Sequence, residues 1–217
     1  MVEVYKKGNK VILAGKVKEI VDGVSQKGKE YVRVVLSQTR YDADMELEVE
    51  DEATVIFTNR EDGPYGAEMN ADRIKKLKIK AGTTIALKAT RKENEDGTVA
   101  YYGLRAQYPG CRFEFKATED GPAAEVVVGI AIVKAENNIS VPISVFDAKG
   151  TTKEEKNKTA WLTTKAQENT DVAEGTFDPT SEKKRPVVAF VIPKITKTKT
   201  DTGISWSGDF IACERVS

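Results

Sequence analysis

Aromatic and cationic side chains are concentrated in one stretch, Thr83–Tyr108, which reads TTIALKATRKENEDGTVAYYGLRAQY. Three cations precede its central turn, and two tyrosines and another cation follow it: Lys88, Arg91 and Lys92, then Tyr101, Tyr102 and Arg105. Planar rings stack on flat ring systems and cations contact anions, so this pattern favours non-covalent binding over bond-making chemistry. Adjacent strand residues point to opposite faces. We therefore expect one tyrosine in the core and favour Tyr102 as the exposed one; packing of both rings is the open alternative.

Further candidate contacts lie on other predicted strands. Lys16 and Lys18 share a face of the first strand, and Arg33 lies on the second. A second predicted hairpin carries three lysines and a tryptophan: Lys194, Lys197, Lys199 and Trp206. Each of these cations could equally be ordinary solvated surface charge. Tyr31, Phe57 and Trp161 are more typical of core residues than of an exposed platform.

Residue usage argues against several classes of function. The 217 residues include no histidine and only two cysteines, Cys111 and Cys213, which lie far apart. No phosphate-binding loop, dinucleotide fingerprint, zinc spacing or nucleophile elbow occurs. We therefore predict no enzyme activity, no cofactor and no metal site.

There are 34 basic and 34 acidic residues, so the total charge does not by itself indicate a nucleic-acid partner. The N-terminus lacks a signal-peptide core and no apolar run spans a bilayer, so we expect a cytoplasmic protein without a membrane partner.

Short alternating runs bounded by turn residues predict a mostly β protein. In the first half the predicted strands are Val11–Val17, Tyr31–Gln38, Ala53–Thr58, Thr83–Thr90 and Thr98–Gln107. A short helix, Ala71–Lys78, is expected between the third and fourth strands, with Asn70 as its N-cap. This order is typical of a five-stranded OB barrel.

The second half begins again with predicted strands, at Glu125–Ala135 and Ile139–Phe146, with Pro142 marking an edge or a bulge. Pro186–Ile195 and Gly203–Cys213 are expected to form a hairpin around the tip TKTKTDTG, and Gln167–Lys184 a polar loop. Asp96–Ala106 and Asp201–Ala212 share an order of turn glycine, aromatic run and second glycine. We predict two OB-like five-stranded barrels in tandem, in residues 1–113 and 114–217, with a short helix in the first. An unrelated second β domain is the alternative.

The first half resembles a known family. GNKVILAGKV (Gly8–Val17) is similar to the opening strand of bacterial and phage single-stranded-DNA-binding proteins. SQKGKEYVRVVLSQTR resembles the family's turn into the second strand, and KAGTTIALKATRKENEDGTVAYYGLRAQ its fourth and fifth strands. The resemblance covers residues 8–113. It implies an OB fold, single-stranded DNA as the partner, contact with replication or recombination proteins, and a homo-oligomer or a two-barrel chain in its place.

The acidic stretch Asp42–Glu52 (DADMELEVEDE) argues against a nucleic-acid surface in its own part of the chain. Acids alternate with Ala43, Met45, Leu47 and Val49, which predicts a solvated acidic face opposite a buried apolar one. The sequence favours single-stranded DNA binding with little sequence preference, which protects or organises the strand during replication or recombination. The alternative is a structural or assembly protein of a phage or mobile element that uses its barrels to bind other proteins.

Overall fold

The computed structural model describes residues 3–42, 45, 47–58, 71–119, 121–130, 132–133, 138–146, 148–165, 187–192, 196–208 and 213–215. The chain divides into two compact units, with the change at Tyr108 and Pro109. Within the described residues, no helix is long and apolar enough to cross a membrane.

Among its described residues, the first unit contains six strands and a short helix, which are β1 Glu3–Lys7, β2 Lys10–Val24, β3 Glu30–Asp42, β4 Leu47–Thr58, α1 Ala71–Lys76, β5 Thr84–Glu93 and β6 Val99–Gln107. Strands β2, β3 and β4 form an antiparallel meander, β6 pairs with β4 in parallel, and β5 pairs with both β6 and β2. These pairings close a five-stranded barrel, which confirms the predicted fold class for this half. The short strand β1, which the sequence did not indicate, adds to β2.

The barrel interior is filled by one alternating set of residues from each strand. Val34, Val55, Phe57 and Leu87 are at most 1% exposed and belong to one apolar cluster. Phe57 is therefore a core residue, as its apolar neighbours predicted. Helix α1 covers this cluster with Ile74, as predicted; its proposed N-cap, Asn70, lies outside the described residues.

Strand β6 crosses the Phe57 ring at Gly103. A side-chain carbon at this position would lie 2.5 Å from Phe57 Cζ, far inside the roughly 3.5–4.0 Å of normal carbon contacts. The glycine therefore allows β6 to pass over a large, fully buried ring. Because Tyr102 precedes Gly103, the same contact sets the height of the tyrosine above the core.

The part of the second unit that the structure describes has nine strands and a one-turn helix, which are β7 Arg112–Phe115, β8 Ala124–Ile130, β9 Ile132–Val133, β10 Asn138–Phe146, α2 Lys153–Lys156, β11 Asn157–Lys165, β12 Val187–Ile192, β13 Thr196–Thr200, β14 Gly203–Ser207 and β15 Cys213–Arg215. They form a five-stranded sheet in the order β13-β14-β11-β10-β9 and a four-stranded sheet in the order β15-β12-β8-β7. Val127, Val141, Ile143 and Leu162 are buried here. Pro142 lies inside β10, opposite Trp161 of β11.

Two expectations for this half were wrong. Pro186–Ile195 and Gly203–Cys213 were expected to pair around the tip TKTKTDTG, but β12 pairs with β8 and β15. Thr196–Thr200 of that tip is strand β13, which pairs with β14 around a turn at Asp201 and Thr202. Trp161 was assigned to the core, but half of its surface is exposed. The alternation in AWLTT buries Leu162 and therefore turns Trp161 outward. The predicted loop 167–184 lies outside the described residues.

Candidate nucleic-acid interface

The outer face of β3, β4 and β6 carries a row of side chains in register. Arg33 lies opposite Ile56, and Ile56 lies beside Tyr102. Because neighbouring strands are about 4.8 Å apart, the Cα atoms of Arg33 and Tyr102 are separated by about 10 Å. A guanidinium and an aromatic ring are thus held within one nucleotide-sized patch of sheet, separated by an apolar side chain.

The two adjacent tyrosines of β6 have opposite environments. Tyr102 is 41% exposed on the outer face, as the alternation favoured. Tyr101 packs against the barrel core, and its hydroxyl donates a 2.5 Å hydrogen bond to Glu3 Oε1 on β1. Burial, and then the Glu3 carboxylate, raise the pKa of Tyr101 well above its ordinary value. Of this pair, Tyr102 is the one available for stacking.

The β5–β6 hairpin presents three of its predicted cations on the face of Tyr102. Lys88 lies opposite Arg105, and Lys92 lies opposite Ala100, two residues before Tyr102. The fourth cation does not join them. Arg91 lies opposite Tyr101 and forms ion pairs with Glu3 (3.1 Å) and Glu93 (3.0 Å), so the structure separates it from the Tyr102 face.

Acids neutralise part of the cationic set on the barrel. Arg33 donates to Glu19 Oε2 at 3.0 Å. Lys18 forms ion pairs with Glu52 and Glu50, and these carboxylates raise its pKa. Lys16 is exposed and lies opposite Ser37 on the same face. All three ion pairs are about half exposed, and exposed ion pairs contribute little to stability, so a phosphate can replace the acid at little cost.

A second ring and two lysines complete the face at the end nearest the β2–β3 loop. Tyr31 is half-buried, and its ring lies across Gly23 of β2, where a side chain would collide with it. Its Cα lies about 12 Å from that of Tyr102, two strands and two residues away. Lys27 and Lys29 in the β2–β3 loop are exposed. Sequence reasoning treated Tyr31 as core and did not select these lysines, although a lysine pair flanking a turn glycine was a readable signal.

The end of the β3–β4 hairpin, which carries the acidic stretch, differs from the prediction in the exposure of its apolar side chains. Glu48, Glu50 and Glu52 are exposed on one side of β4, as expected. The opposite side was expected to be buried, but Leu47 is 48% exposed and Met45 54%. The β3–β4 hairpin extends beyond the barrel core, so the inward-facing positions at its end have nothing of that core beneath them.

In the second unit, the β13–β14 hairpin carries Lys197 and Lys199, both exposed. Lys197 Nζ lies 5.5 Å from the centre of the Trp206 ring, a cation–π contact. Trp206 lies opposite the buried Leu162, so it faces inward and one face of its ring is covered by the lysine. Lys194 lies outside the described residues.

The outer face of β10 and β11 carries aromatic surface that sequence reasoning missed. Trp161 lies opposite Pro142, and Phe146 at the end of β10 is 70% exposed. The neighbouring outward residues, Ser144 and Thr159, are uncharged and exposed. An accessible tryptophan in this unit is therefore Trp161, and period-two alternation around Leu162 was the signal for it.

Within the described part of the chain, no group of three or more His, Cys, Asp or Glu side chains is placed to hold a metal ion. Cys111 is a half-buried free thiol. The side chain of Cys213 lies outside the described residues.

No protein-family model matches the chain, and no curated protein does. Three solved structures show what it is similar to. A small single-stranded DNA binding protein from Mycoplasma pneumoniae is 17% identical over 51% of this chain and 97% of its own, with a TM-score of 0.35. The mitochondrial single-stranded DNA binding protein Rim1 from S. cerevisiae is 14% identical over 46% of this chain and 92% of its own, with a TM-score of 0.32. The single-stranded DNA binding protein from Thermus aquaticus is 11% identical over 96% of this chain and 93% of its own, with a TM-score of 0.33. The chain thus resembles single-stranded DNA binding proteins, and at these TM-scores the likeness supports no argument about its function.

Proposed function

We propose that this chain binds single-stranded DNA with little sequence preference and performs no bond-making chemistry. The observation that carries the proposal is the outer face of β3, β4 and β6, where Tyr31, Arg33 and Tyr102 lie together. Strands β3 and β4 are the strand pair that OB barrels use for oligonucleotides, bordered by the loops after their first and fourth strands. Here those loops hold Lys27 and Lys29 on one side and the β5–β6 hairpin on the other.

The proposed mechanism combines stacking with phosphate contacts. A base stacked on an aromatic ring contributes about 1–3 kcal/mol, and stacking accepts any base. Lys88, Lys92 and Arg105 surround Tyr102 and would neutralise the phosphates on either side of the stacked base. The predicted contacts of Lys16, Lys18 and Arg33 belong to the same face.

The second unit is proposed to be a diverged copy of the same barrel. Each unit has a row of four paired residues, across strands of the same order and direction, namely Val34, Val55, Tyr101 and Arg91 in the first and Val141, Leu162, Trp206 and Lys197 in the second. The antiparallel pair β8–β12 likewise corresponds to β2–β5. Trp206 is then the counterpart of the inward Tyr101, and Trp161 with Phe146 forms the outward aromatic surface. Lys197 and Lys199, which share the face of Trp206 and not that of Trp161, are the phosphate contacts proposed for this unit.

The proposed cellular role is to protect or organise single strands in the cytoplasm during replication or recombination. Replication or recombination proteins, and further copies of the chain, are the proposed partners. These finer points follow from the family resemblance of residues 8–113 and extend the binding proposal.

Fluorescence anisotropy of labelled oligo-dT, with duplex DNA beside it and at two salt concentrations, tests the binding. We expect single-strand-selective binding that weakens with salt, because phosphate contacts release counterions. Tyr102→Ala should raise the Kd about 5- to 100-fold, from the loss of one stack. Tyr108→Ala is the matched control, since Tyr108 is also 41% exposed but its hydroxyl donates to the Leu77 carbonyl, away from the β3–β4 row. Absence of oligo-dT binding at low salt would refute the proposal.

A second function is favoured by the end of the β3–β4 hairpin. Exposed Met45 and Leu47 beside Glu48 and Glu50 form an apolar and acidic surface that suits a basic protein partner better than a nucleic acid. An assembly protein that uses its barrels to bind other proteins would show a stable protein complex and no affinity for oligo-dT.

A further inference from the structure

The second unit carries an uncharged aromatic surface on the outer side of its five-stranded sheet, which we term the Trp161 face. Trp161 lies opposite Pro142, and Phe146 lies two outward positions further along β10. Both rings are at least half exposed. Among the side chains that the structure describes on β10, β11, β13 and β14, the other outward positions hold serine, threonine, asparagine or glycine. These described positions therefore combine large exposed rings with hydroxyl groups and carry no charge.

The row of residues that carries the proposed strand contacts in the first unit has a different chemistry in the second. In the proposed correspondence of the two units, Val34 is equivalent to Val141, so the neighbouring outward rows are equivalent too. These rows are Arg33, Ile56 and Tyr102 in the first unit and Ser140, Thr163 and Ser207 in the second. The second row has neither a cation nor a ring, and Lys197 and Lys199 lie on the other side of the sheet. The described positions of the Trp161 face thus offer a nucleic acid no phosphate contact.

We propose that the Trp161 face is the surface through which two copies of this chain associate. The proposal rests on the part of the proposed function that makes further copies of the chain partners, and not on strand binding by the first unit. The centres of protein–protein interfaces are depleted in charged residues and enriched in aromatic ones, and tryptophan is among the residues that contribute most binding energy. A face without charge also meets its own copy without placing like charges opposite each other.

The positions of the apolar residues suit a two-fold arrangement. A two-fold axis that lies parallel to the sheet brings the Trp161 face onto its own copy. If the axis runs along the strands between β10 and β11, the Trp161 ring of each copy lies over Pro142 of the other, because the two residues share a row. If the axis runs across the strands at Ser144, Phe146 lies over Pro142 instead, because each is two residues from Ser144 on β10. Both arrangements bury an aromatic ring against a proline and place the uncharged hydroxyls of Ser144 and Thr159 at the centre.

The size of the face predicts a weak dimer. At about 4.8 Å per strand and 3.4 Å per residue, the part of the four strands between the rows of Asn157 and Thr163 has a projected area of about 400 Å². Two copies would cover about 800 Å² of projected area, and the relief of the exposed rings brings the buried surface near the roughly 1,000 Å² of a weak specific complex. We therefore expect a reversible dimer with a Kd in the micromolar range.

The test is sedimentation velocity of the full chain across the micromolar range, with the double variant Trp161→Ser/Phe146→Ser beside it. Loss of both rings should raise the Kd of the dimer at least about 30-fold, as for a central tryptophan in other interfaces. The matched control is Ile204→Ser, which removes an equally exposed apolar side chain from the other side of β14 and should leave the Kd unchanged. A second variant, Thr159→Lys, keeps every apolar group but places like charges at the centre of the interface, so it should weaken the dimer about tenfold or more.

The outcomes separate this proposal from the binding of single strands. A chain that stays monomeric throughout, a dimer that the double variant leaves unchanged, or an equal effect of Ile204→Ser overturns the Trp161 face as the interface. Quenching of Trp161 by oligo-dT in the monomeric chain also overturns it, because the face would then be a platform for bases. If the unmodified chain dimerises through this face and does not bind oligo-dT, the proposed strand binding fails and the interface stands. Circular dichroism of each variant checks that the exposed substitutions leave the fold intact.

Discussion

Gly103 is a position where one added carbon should destabilise the first unit strongly. In Gly103→Ala the new Cβ would lie 2.5 Å from Phe57 Cζ and closer still to two other ring atoms. Normal carbon contacts need roughly 3.5–4.0 Å, so the ring must move by about 1 Å or more. Phe57 is only 1% exposed and packed on all sides, so it has no free space to enter.

The size of the effect follows from two opposing contributions. Overpacking a full core costs about 1–3 kcal/mol, and a shift of this size belongs in the upper half of that range. Replacing glycine in a strand recovers about 0.5–1 kcal/mol of backbone entropy. We therefore expect a net loss of about 2 kcal/mol, which for a domain of this size lowers the Tm by about 8 °C or more.

Gly23→Ala is the matched control. Its Cβ would also collide with an aromatic ring, that of Tyr31, but the atoms it meets are the hydroxyl end of a half-buried side chain. That ring can swing toward solvent, so the expected change in Tm is within about 3 °C, from a free-energy change below about 0.5 kcal/mol.

The assay uses the distribution of chromophores. All seven tyrosines lie in the first unit and both tryptophans in the second. Thermal unfolding followed by tyrosine absorbance therefore reports the first unit, and tryptophan fluorescence the second. Gly103→Ala should shift only the tyrosine transition, and Phe57→Leu added to it should restore part of the loss through non-additivity. An unchanged or raised tyrosine transition in Gly103→Ala would show that the contact with Phe57 is not tight.

Other outcomes follow from the same contacts. Spectrophotometric titration should show a raised pKa for Tyr101, as burial also gives Tyr5, and Glu3→Gln should bring the pKa of Tyr101 down toward the ordinary value of about 10. The raised pKa means that the folded protein favours the protonated hydroxyl of Tyr101. This stabilises the fold below about pH 10, and the stabilisation is lost as the pH rises toward the folded-state pKa. Glu3→Gln should therefore reduce the loss of unfolding free energy between about pH 9 and about pH 11. Lys197→Met should alter the emission of Trp206 and leave that of Trp161 unchanged, which single-tryptophan variants can separate; identical spectra would count against the cation–π contact. Oligo-dT should quench Trp161 more than Trp206 if the outer face of β10 and β11 binds bases, and the reverse order would place binding at the β13–β14 hairpin.

The local pattern of residue types in the sequence was sufficient to predict the strands of the barrel in the first unit. Alternation of apolar and polar residues marks which side of a strand meets the core, because successive side chains point to opposite faces. This is why Tyr102 could be chosen over Tyr101, and why the β5–β6 hairpin around its Asp96–Gly97 turn agrees with the structure. The same rule, applied to AWLTT, would have turned Trp161 outward, but the general preference of tryptophan for burial was given more weight.

Tertiary structure alone decided which distant residues meet. Glu3 and Tyr101 are 98 positions apart, and their hydrogen bond depends on β1 joining β2 and on β6 closing the barrel. The same closure brings Glu3 within 3.1 Å of Arg91 and places acids beside Lys18 and Arg33. Strand register and closure come from the packing of the whole core, and no local pattern of residues records them. The sequence therefore determined the strands and the outward side of each, whereas the fold decided which of the outward charges are shared with acids and which stand beside an exposed ring.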